Sequence, residues 1–187
     1  MEDRNDIRRK KNMIQYCKRC CLPSTKPHLS FDEEGICNAC RNYENRKNVD
    51  WDERKKELME ILDRYRSKDG SNWDCIIPVS GGKDSTYQVI TMLELGMNPL
   101  CVTATTCDLT DIGRRNIENI KKMGVDYIEV TTNRVVRAKL NRIGLTEVGD
   151  ISWPEHVSIF TVPVRMAVNF NVPLIIWGEN SQNEYGG

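Results

Sequence analysis

From Trp73 onward, short apolar runs alternate with stretches whose apolar residues recur every three or four positions. That alternation predicts repeated βα units around a parallel sheet. Strands are expected at 74–79, 100–105, 126–131 and 173–177, and helices at 85–95, 111–123, 134–143 and 156–169, with Gly96, Gly124 and Gly144 placed as helix stops. Upstream, Asp50 is a helix cap with Glu53 at the capping-box position. Leu58, Ile61, Leu62 and Tyr65 then form a single apolar stripe on a charged helix expected to end near Lys68-Asp69-Gly70.

Residues 1–48 are poor in apolar positions and carry Pro23, Pro27 and Gly35 among paired cysteines, so burial alone cannot hold them together. The expected organisation is therefore a small ribbon at 1–48, an amphipathic linker helix at 49–72 and a doubly wound α/β domain with a parallel sheet at 73–187. The chain stops at Glu184-Tyr185-Gly186-Gly187 directly after a strand and loop. A doubly wound domain normally continues for at least one more strand, so the sequence reads as a fragment of a longer protein, truncated at its C-terminal side.

Composition narrows the setting. Lys+Arg and Asp+Glu balance at 27 each, which argues against a general polyanion binder, nucleic acid included. The N-terminus lacks the apolar run of a secretory signal, and nothing approaches the roughly 18 apolar residues of a membrane span. A cytoplasmic setting is expected, where thiols stay reduced and clustered cysteines bind metal more often than they pair as disulfides.

The eight cysteines then become informative. Cys17-x-x-Cys20 and Cys37-x-x-Cys40 have sixteen residues between them, the spacing of two knuckles that each present two thiolates to one ion. Four protein ligands leave no open position, so a structural Zn²⁺ is expected, with an iron–sulfur cluster, or four unbound cysteines in a disordered leader, as the alternatives. Cys21 adjoins Cys20 and competes with it as a ligand, whereas Cys75, Cys101 and Cys107 fall in or beside predicted strands and read as small core residues. His28 and His156 have no partners at metal-ligand spacing; His28 reads as a loop residue, and His156 lies at a helix start on the expected cleft side.

The clearest chemical signal is Ser80-Gly81-Gly82-Lys83-Asp84-Ser85, between a predicted strand and a predicted helix. Two glycines let the backbone turn sharply and aim N–H groups at an anion, and the helix N-terminus adds partial positive charge. Ser80 and Ser85 are hydroxyl donors, Lys83 a mobile cation, and Asp84 a helix cap or a Mg²⁺ ligand. A Walker-A loop is excluded, because Ile77 stands where its first glycine belongs and Asp84 follows Lys83. Gly178-Glu179-Asn180 follows the last predicted strand; if that strand neighbours 74–79, both loops face one ligand, with Glu179 and Asn180 as metal or nucleotide contacts. A plain polar turn is the alternative there.

The Ser-Gly-Gly-Lys-Asp-Ser string resembles the PP-loop of ATP pyrophosphatases, which implies an adenine nucleotide α-hydrolase-like fold, ATP as cofactor and a loop that grips the departing pyrophosphate. Longer strings resemble the N-acetyl sugar amidotransferases: Tyr16-Cys-Lys-Arg-Cys, Phe31 through Tyr43, Asp74 through Gln88, Thr110 through Asn116, Pro173 through Asn180 and Glu184-Tyr-Gly-Gly187. That resemblance implies an ATP-dependent, AMP-forming ligase of lipopolysaccharide, surface-polysaccharide or flagellin-glycan assembly. It would convert the acetamido group of a bacterial sugar, such as a nonulosonate or a nucleotide-linked mannuronate derivative, to an acetamidino group, with ammonia from glutaminase and cyclase-like partner proteins. Chains of that family are longer than this one. Lys83 is then expected to meet pyrophosphate charge and Asp84 to hold Mg²⁺ as the catalytic pair, with Ser80, Gly81, Gly82 and Ser85 around the nucleotide. Two alternatives remain at this stage: a PP-loop tRNA sulfurtransferase, for which Arg114, Arg115, Lys121 and Lys122 would supply a basic face, and a non-catalytic nucleotide-sensing zinc-ribbon module.

Overall fold

Cys75, Ile76 and Ile77 are fully buried, and a strand shielded on both faces is what a continuous apolar run builds. In a computed structural model of the chain, which describes residues 14–105 and 109–179, this run is strand β1 (Cys75–Pro78). Strands β2 (Pro99–Thr105) and β3 (Asp126–Thr131) join it in a parallel sheet of order β1-β2-β3. The described residues form two compact units, one of 14–55 with Glu179 and one of 56–178.

In the first unit, helix α1 (Asn38–Asn45) follows two tight turns, and helix α2 (Trp51–Tyr65) begins where Asp50 Oδ1 accepts from the backbone N–H groups of Asp52 and Glu53, 3.0 Å each. The expected cap is therefore present. The rest of α2 belongs to the second unit, where its expected stripe contracts: Leu62 is fully buried, while Ile61 and Tyr65 stay largely exposed. The helix ends at Tyr65, ahead of a turn that closes at the left-handed Gly70.

The second unit continues with α3 (Lys83–Glu94), α4 (Asp111–Lys121), α5 (Arg134–Ile143) and α6 (Trp153–Asn169). Leu62, Ile77, Val89, Met92 and Ile120 pack on one face of the sheet, and Ile76, Leu100, Val102, Ala167 and Val172 on the other. Each such side chain removed from water contributes roughly 1.5–3 kcal/mol, so both faces stabilise the domain. Buried Asp74 secures the start of β1 by accepting from the N–H groups of Ser67 (2.5 Å) and Asn98 (2.7 Å).

The fourth expected strand appears as a short bridge rather than a full strand. Ile175 pairs parallel with Ile76, through Ile76 N–H to Leu174 O and Ile176 N–H to Ile76 O, both 2.9 Å. The lateral order is thus the 174–176 segment, β1, β2, β3. Helix α6 lies over the face of β1 and β2 and carries the chain back across the sheet, so winding reverses beside β1.

Gly96 and Gly124 are left-handed stops as expected, but Gly144 is not. It is right-handed and opens a π-helical turn at Gly144–Val148, and the left-handed stop is Gly149. The physical reason is close approach: a Cβ on Gly144 would stand 2.6 Å from Asp150 O, whose N–H bonds back to Gly144 O at 3.0 Å. No helix among the described residues is long and apolar enough to cross a membrane.

Candidate functional site

The Ser80–Ser85 loop lies at the C-terminal end of β1, beside the winding reversal where ligands of open parallel sheets are held. Its shape follows from its residues. Gly81 is buried with φ +79°, and a Cβ there would meet Ile117 Cγ1 at 3.2 Å and Gly113 O at 3.4 Å. Only glycine fits that backbone against α4. Gly82 is the N-cap of α3, so the free N–H groups and positive end of the helix open at the loop.

Internal hydrogen bonds hold the turn. Ser85, buried, donates from Oγ to Gly82 O (3.2 Å) and accepts from Ser80 N–H (3.4 Å); Ser80 Oγ accepts from Gly82 N–H (3.3 Å), and Thr86 Oγ1 donates to Gly82 O (2.8 Å). Lys83 and Asp84 stand in solvent, with 89% and 77% of their side chains exposed, and pair at 2.7 Å. An exposed pair of this kind contributes little stability and is easily exchanged for a ligand. The arrangement can accept an anion on the loop and helix N-terminus while Lys83 turns to it, and it leaves the Asp84 carboxylate available for a cation.

Gly178 comes to this end of the domain, where a Cβ would meet Gln88 Oε1 of α3 at 3.1 Å. Glu179 groups with the first unit, and Asn180 lies outside the described residues, as do Cys107 and Glu184–Gly187. His156 is exposed on α6, and exposed His28 has φ +59°. Cys75 and Cys101 are buried in the core, and burial pushes both thiols up to about 12, which keeps them neutral.

Sequence reasoning passed over a cleft at the ends of β2 and β3, about 620 Å³ in volume. There Arg114 of α4 donates to both carboxylate oxygens of Glu129 (2.8 and 3.2 Å), and Thr105 Oγ1 donates to the same group (2.8 Å). The Arg114 guanidinium holds the Glu129 carboxyl below the usual range. In the sequence Arg114 reads only as part of a basic face, and its pairing with Glu129 and that of Thr105 with the same carboxylate have no signal there.

In the first unit, Cys17, Cys20, Cys37 and Cys40 converge, their Sγ atoms all within 4.8 Å of one another. Cys20 and Cys37 are 3.5 Å apart, Cys17 and Cys40 4.0 Å. Sulfurs of a tetrahedral site with bonds of about 2.3 Å stand about 3.8 Å apart, so the set fits one Zn²⁺-sized ion. Cys21 is left-handed and exposed and falls outside the cluster, which decides the competition with Cys20. Two turns make the site: Cys17 N–H bonds Leu22 O at 2.9 Å in the first, and in the second Asp32 accepts from Ile36 N–H at 2.9 Å and Arg41 Nε at 2.7 Å.

Burial resists ionisation of Cys17, but backbone N–H groups of Cys20, Arg19 and Cys37 outweigh it and bring the thiol down to about 6. Burial, then the neighbouring cysteines, push Cys40 up to about 12. One thiolate forms readily and the next is opposed, which a divalent cation reverses by neutralising the cluster.

A scan against known protein families finds no match for the chain. A protein of Methanocaldococcus jannaschii, named as uncharacterized protein MJ1599, is 31% identical over 108 residues, covering 57% of this chain and 38% of its own length. Among solved structures, NMN synthetase from Francisella tularensis superimposes with TM-score 0.52 at 14% identity over 70% of this chain and 55% of that one. The NH3-dependent NAD synthetase of Campylobacter jejuni gives TM-score 0.53 at 13% identity over 72% and 58%. The chain thus spans well under two thirds of each of these proteins. At such identities the likeness is one of fold, and the chain has the parallel-sheet α/β fold of these synthetases, with a PP-loop-like turn after its first strand.

Proposed function

We propose that this chain carries the nucleotide-binding part of an ATP-dependent, AMP-forming amidotransferase that converts the acetamido group of a bacterial sugar to an acetamidino group. The observation that carries the reading is the Ser80–Ser85 turn itself: a glycine-shaped anion cradle at a helix N-terminus, at the winding reversal, with Lys83 and Asp84 exposed beside it. ATP and Mg²⁺ are the proposed ligands of this turn. Its fold is also that of an NH3-dependent NAD synthetase, so ammonia as a nucleophile suits the scaffold.

An amide carbonyl is a poor electrophile, so its oxygen must first become a leaving group. In the proposed reaction that oxygen attacks the α-phosphorus, the bond to pyrophosphate breaks, and an adenylated imidate forms. Ammonia then adds to the imidate carbon, AMP departs with the former amide oxygen, and loss of a proton leaves the amidine. The turn would bind the leaving pyrophosphate through loop N–H groups and the two serines, while Lys83 meets its growing charge. Asp84 would hold Mg²⁺, which supplies charge neutralisation to the phosphates when bound. The chain fits surface-glycan assembly in the cytoplasm, with ammonia from glutaminase and cyclase-like partner proteins.

The transfer-RNA reading needs a basic strip facing phosphates. Instead, Arg114 is engaged by Glu129 and Lys121 by Glu118 at 2.7 Å, which favours a small acceptor. The test is incubation of the complete protein with ATP, Mg²⁺, ammonium and a panel of N-acetylated sugars. The expected result is AMP together with a sugar lighter by about one mass unit, oxygen having been replaced by NH. AMP release stimulated by bulk tRNA, with every sugar unchanged, would transfer the proposal to sulfur transfer.

A further inference from the structure

Helix α6 is apolar on two opposite faces, and only one of them is covered. Val162, Met166 and Ala167 pack in the layer over Ile76 and Val102 of the sheet. Helix α5 approaches on that side too, where Ser158 Oγ accepts from Arg137 Nη2 and Glu155 Oε1 from Asn141 Nδ2, 3.0 Å each. On the far side, Trp153, Val157, Phe160, Val164 and Val168 recur at intervals of 4, 3, 4 and 4 residues and so form one stripe. These five residues are between 41% and 75% exposed. Trp177 meets Phe160 at 5.4 Å between ring centroids and still leaves it largely open. The only titratable side chains of the helix are Glu155, His156 and Arg165, none of them on the stripe. A helix that is hydrophobic all round is ordinarily buried all round, and a long uncharged stripe left in water marks an interaction surface.

The rest of the given chain does not supply the cover. Residues 1–13, 106–108 and 180–187 hold Met1, Ile7, Met13 and Tyr185 as their only large apolar side chains. The stripe instead matches itself. Reversed about the midpoint between Phe160 and Thr161, position 153 falls on 168 and 157 on 164, with Phe160 at the centre. Two copies packed antiparallel across a two-fold axis therefore set the bulky Trp153 against the small Val168, Val157 against Val164, and the two Phe160 rings side by side. His156 and Arg165 lie on opposite flanks of the stripe, and the reversal leaves each about 13 Å along the helix from its own copy, so like charges do not meet. With each residue about half exposed, the stripe offers on the order of 400–500 Å² of apolar surface. Two stripes with their polar rims then clear roughly 1,000 Å², the lower bound of a specific interface. A helix seated on an anionic membrane carries several Lys or Arg along its polar edge, whereas α6 has Arg165 alone.

We propose that the outer face of α6 is an isologous interface with a second copy of this chain, the two helices antiparallel about an axis beside Phe160.

The test is sedimentation of the complete protein over a wide concentration range, with far-UV circular dichroism as the folding control. A monomer–dimer equilibrium is expected. V168D alters the most exposed position of the stripe and should weaken association about 100-fold, because it sets a carboxylate against Trp153 in the closed seam. W153V, which empties that contact, and V168W, which brings two tryptophans together, should each weaken it about ten-fold. The exchanged pair W153V/V168W should return to within about three-fold of the parent, since the large and small partners have only traded places. A protein that stays monomeric at every concentration, a dimer indifferent to V168D, or losses that simply add in the exchanged pair overturns the inference. So does loss of fold in V168D at dilutions where the parent is monomeric, which shows the stripe to be covered within the complete chain. Co-sedimentation of a monomer with phosphatidylglycerol vesicles overturns it as well and assigns the stripe to a membrane surface.

Discussion

Residues 14–55 bury only Cys17, Gly35 and Cys37, whereas residues 56–178 bury two aliphatic layers, one on each face of a parallel sheet. The first unit is organised by thiols, turn hydrogen bonds and ion pairs, with Arg41 reaching Asp32, Glu34 and Glu44 and Arg19 reaching Glu44. Most of those charges are partly exposed, and exposed pairs contribute little. The second unit is organised by burial, which acts without any ligand. One chain thus contains a segment with little core of its own, whose four converging thiols could hold an ion, and a segment ordered by burial, to which the Ser80–Ser85 turn belongs.

The sharpest way to break that contrast is to deny the four thiols any ion. Structural zinc contributes about 10–16 kcal/mol of binding free energy in small domains, so strong chelation, or C37S, should unfold 14–55. Hydrogen exchange should report loss of protection there and unchanged protection in β1–β3; equal loss in both would refute the contrast. The reciprocal change is I77A in the fully buried centre of β1, expected to cost about 2–5 kcal/mol. A lower melting temperature for the α/β unit with unaltered metal content is the predicted outcome.

K83A affects neither means of stabilisation, because Lys83 is 89% exposed. Its effect should fall on turnover, about 10²–10³-fold in kcat, by analogy with removal of one charge-stabilising donor. Steady-state AMP formation, with metal content and melting temperature as controls, measures it; near-normal turnover would remove Lys83 from the mechanism.

The smallest effect is acid sensitivity at Glu129. Arg114, then Thr105, hold its carboxyl below the usual range, against some burial. A depressed folded value means the stabilisation is complete above the ordinary carboxylate range and fades as pH falls through the lower folded value. E129Q should be less stable than the parent at neutral pH and converge with it in acid. A constant gap at all pH values would show that the ion pair contributes nothing.

Much of this was legible beforehand because it depends on local spacing. Asp50 as a cap, the βα alternation and the glycine turn between strand and helix are short-range patterns, and the structure shows each. Gly144 was misread for the converse reason. Near the end of an apolar period a glycine resembles a helix stop, yet here its missing Cβ makes room for the carbonyl of Asp150, a contact that depends on how the following turn folds back. The stripe on α2 was likewise read too broadly, since spacing shows which residues share a face but not how much of that face is covered.

By itself the sequence determined the βα alternation, the convergence of the two cysteine pairs and the glycine turn at residues 80–85, because helix and strand periods, ligand spacing and turn glycines are encoded within a few dozen neighbouring positions. Only the tertiary structure decided that the 174–176 segment joins β1, that Cys20 rather than Cys21 faces the other thiols, and that Arg114 and Glu129 meet. Those outcomes depend on contacts between residues distant along the chain, which arise only when the sheet and its covering helices pack together.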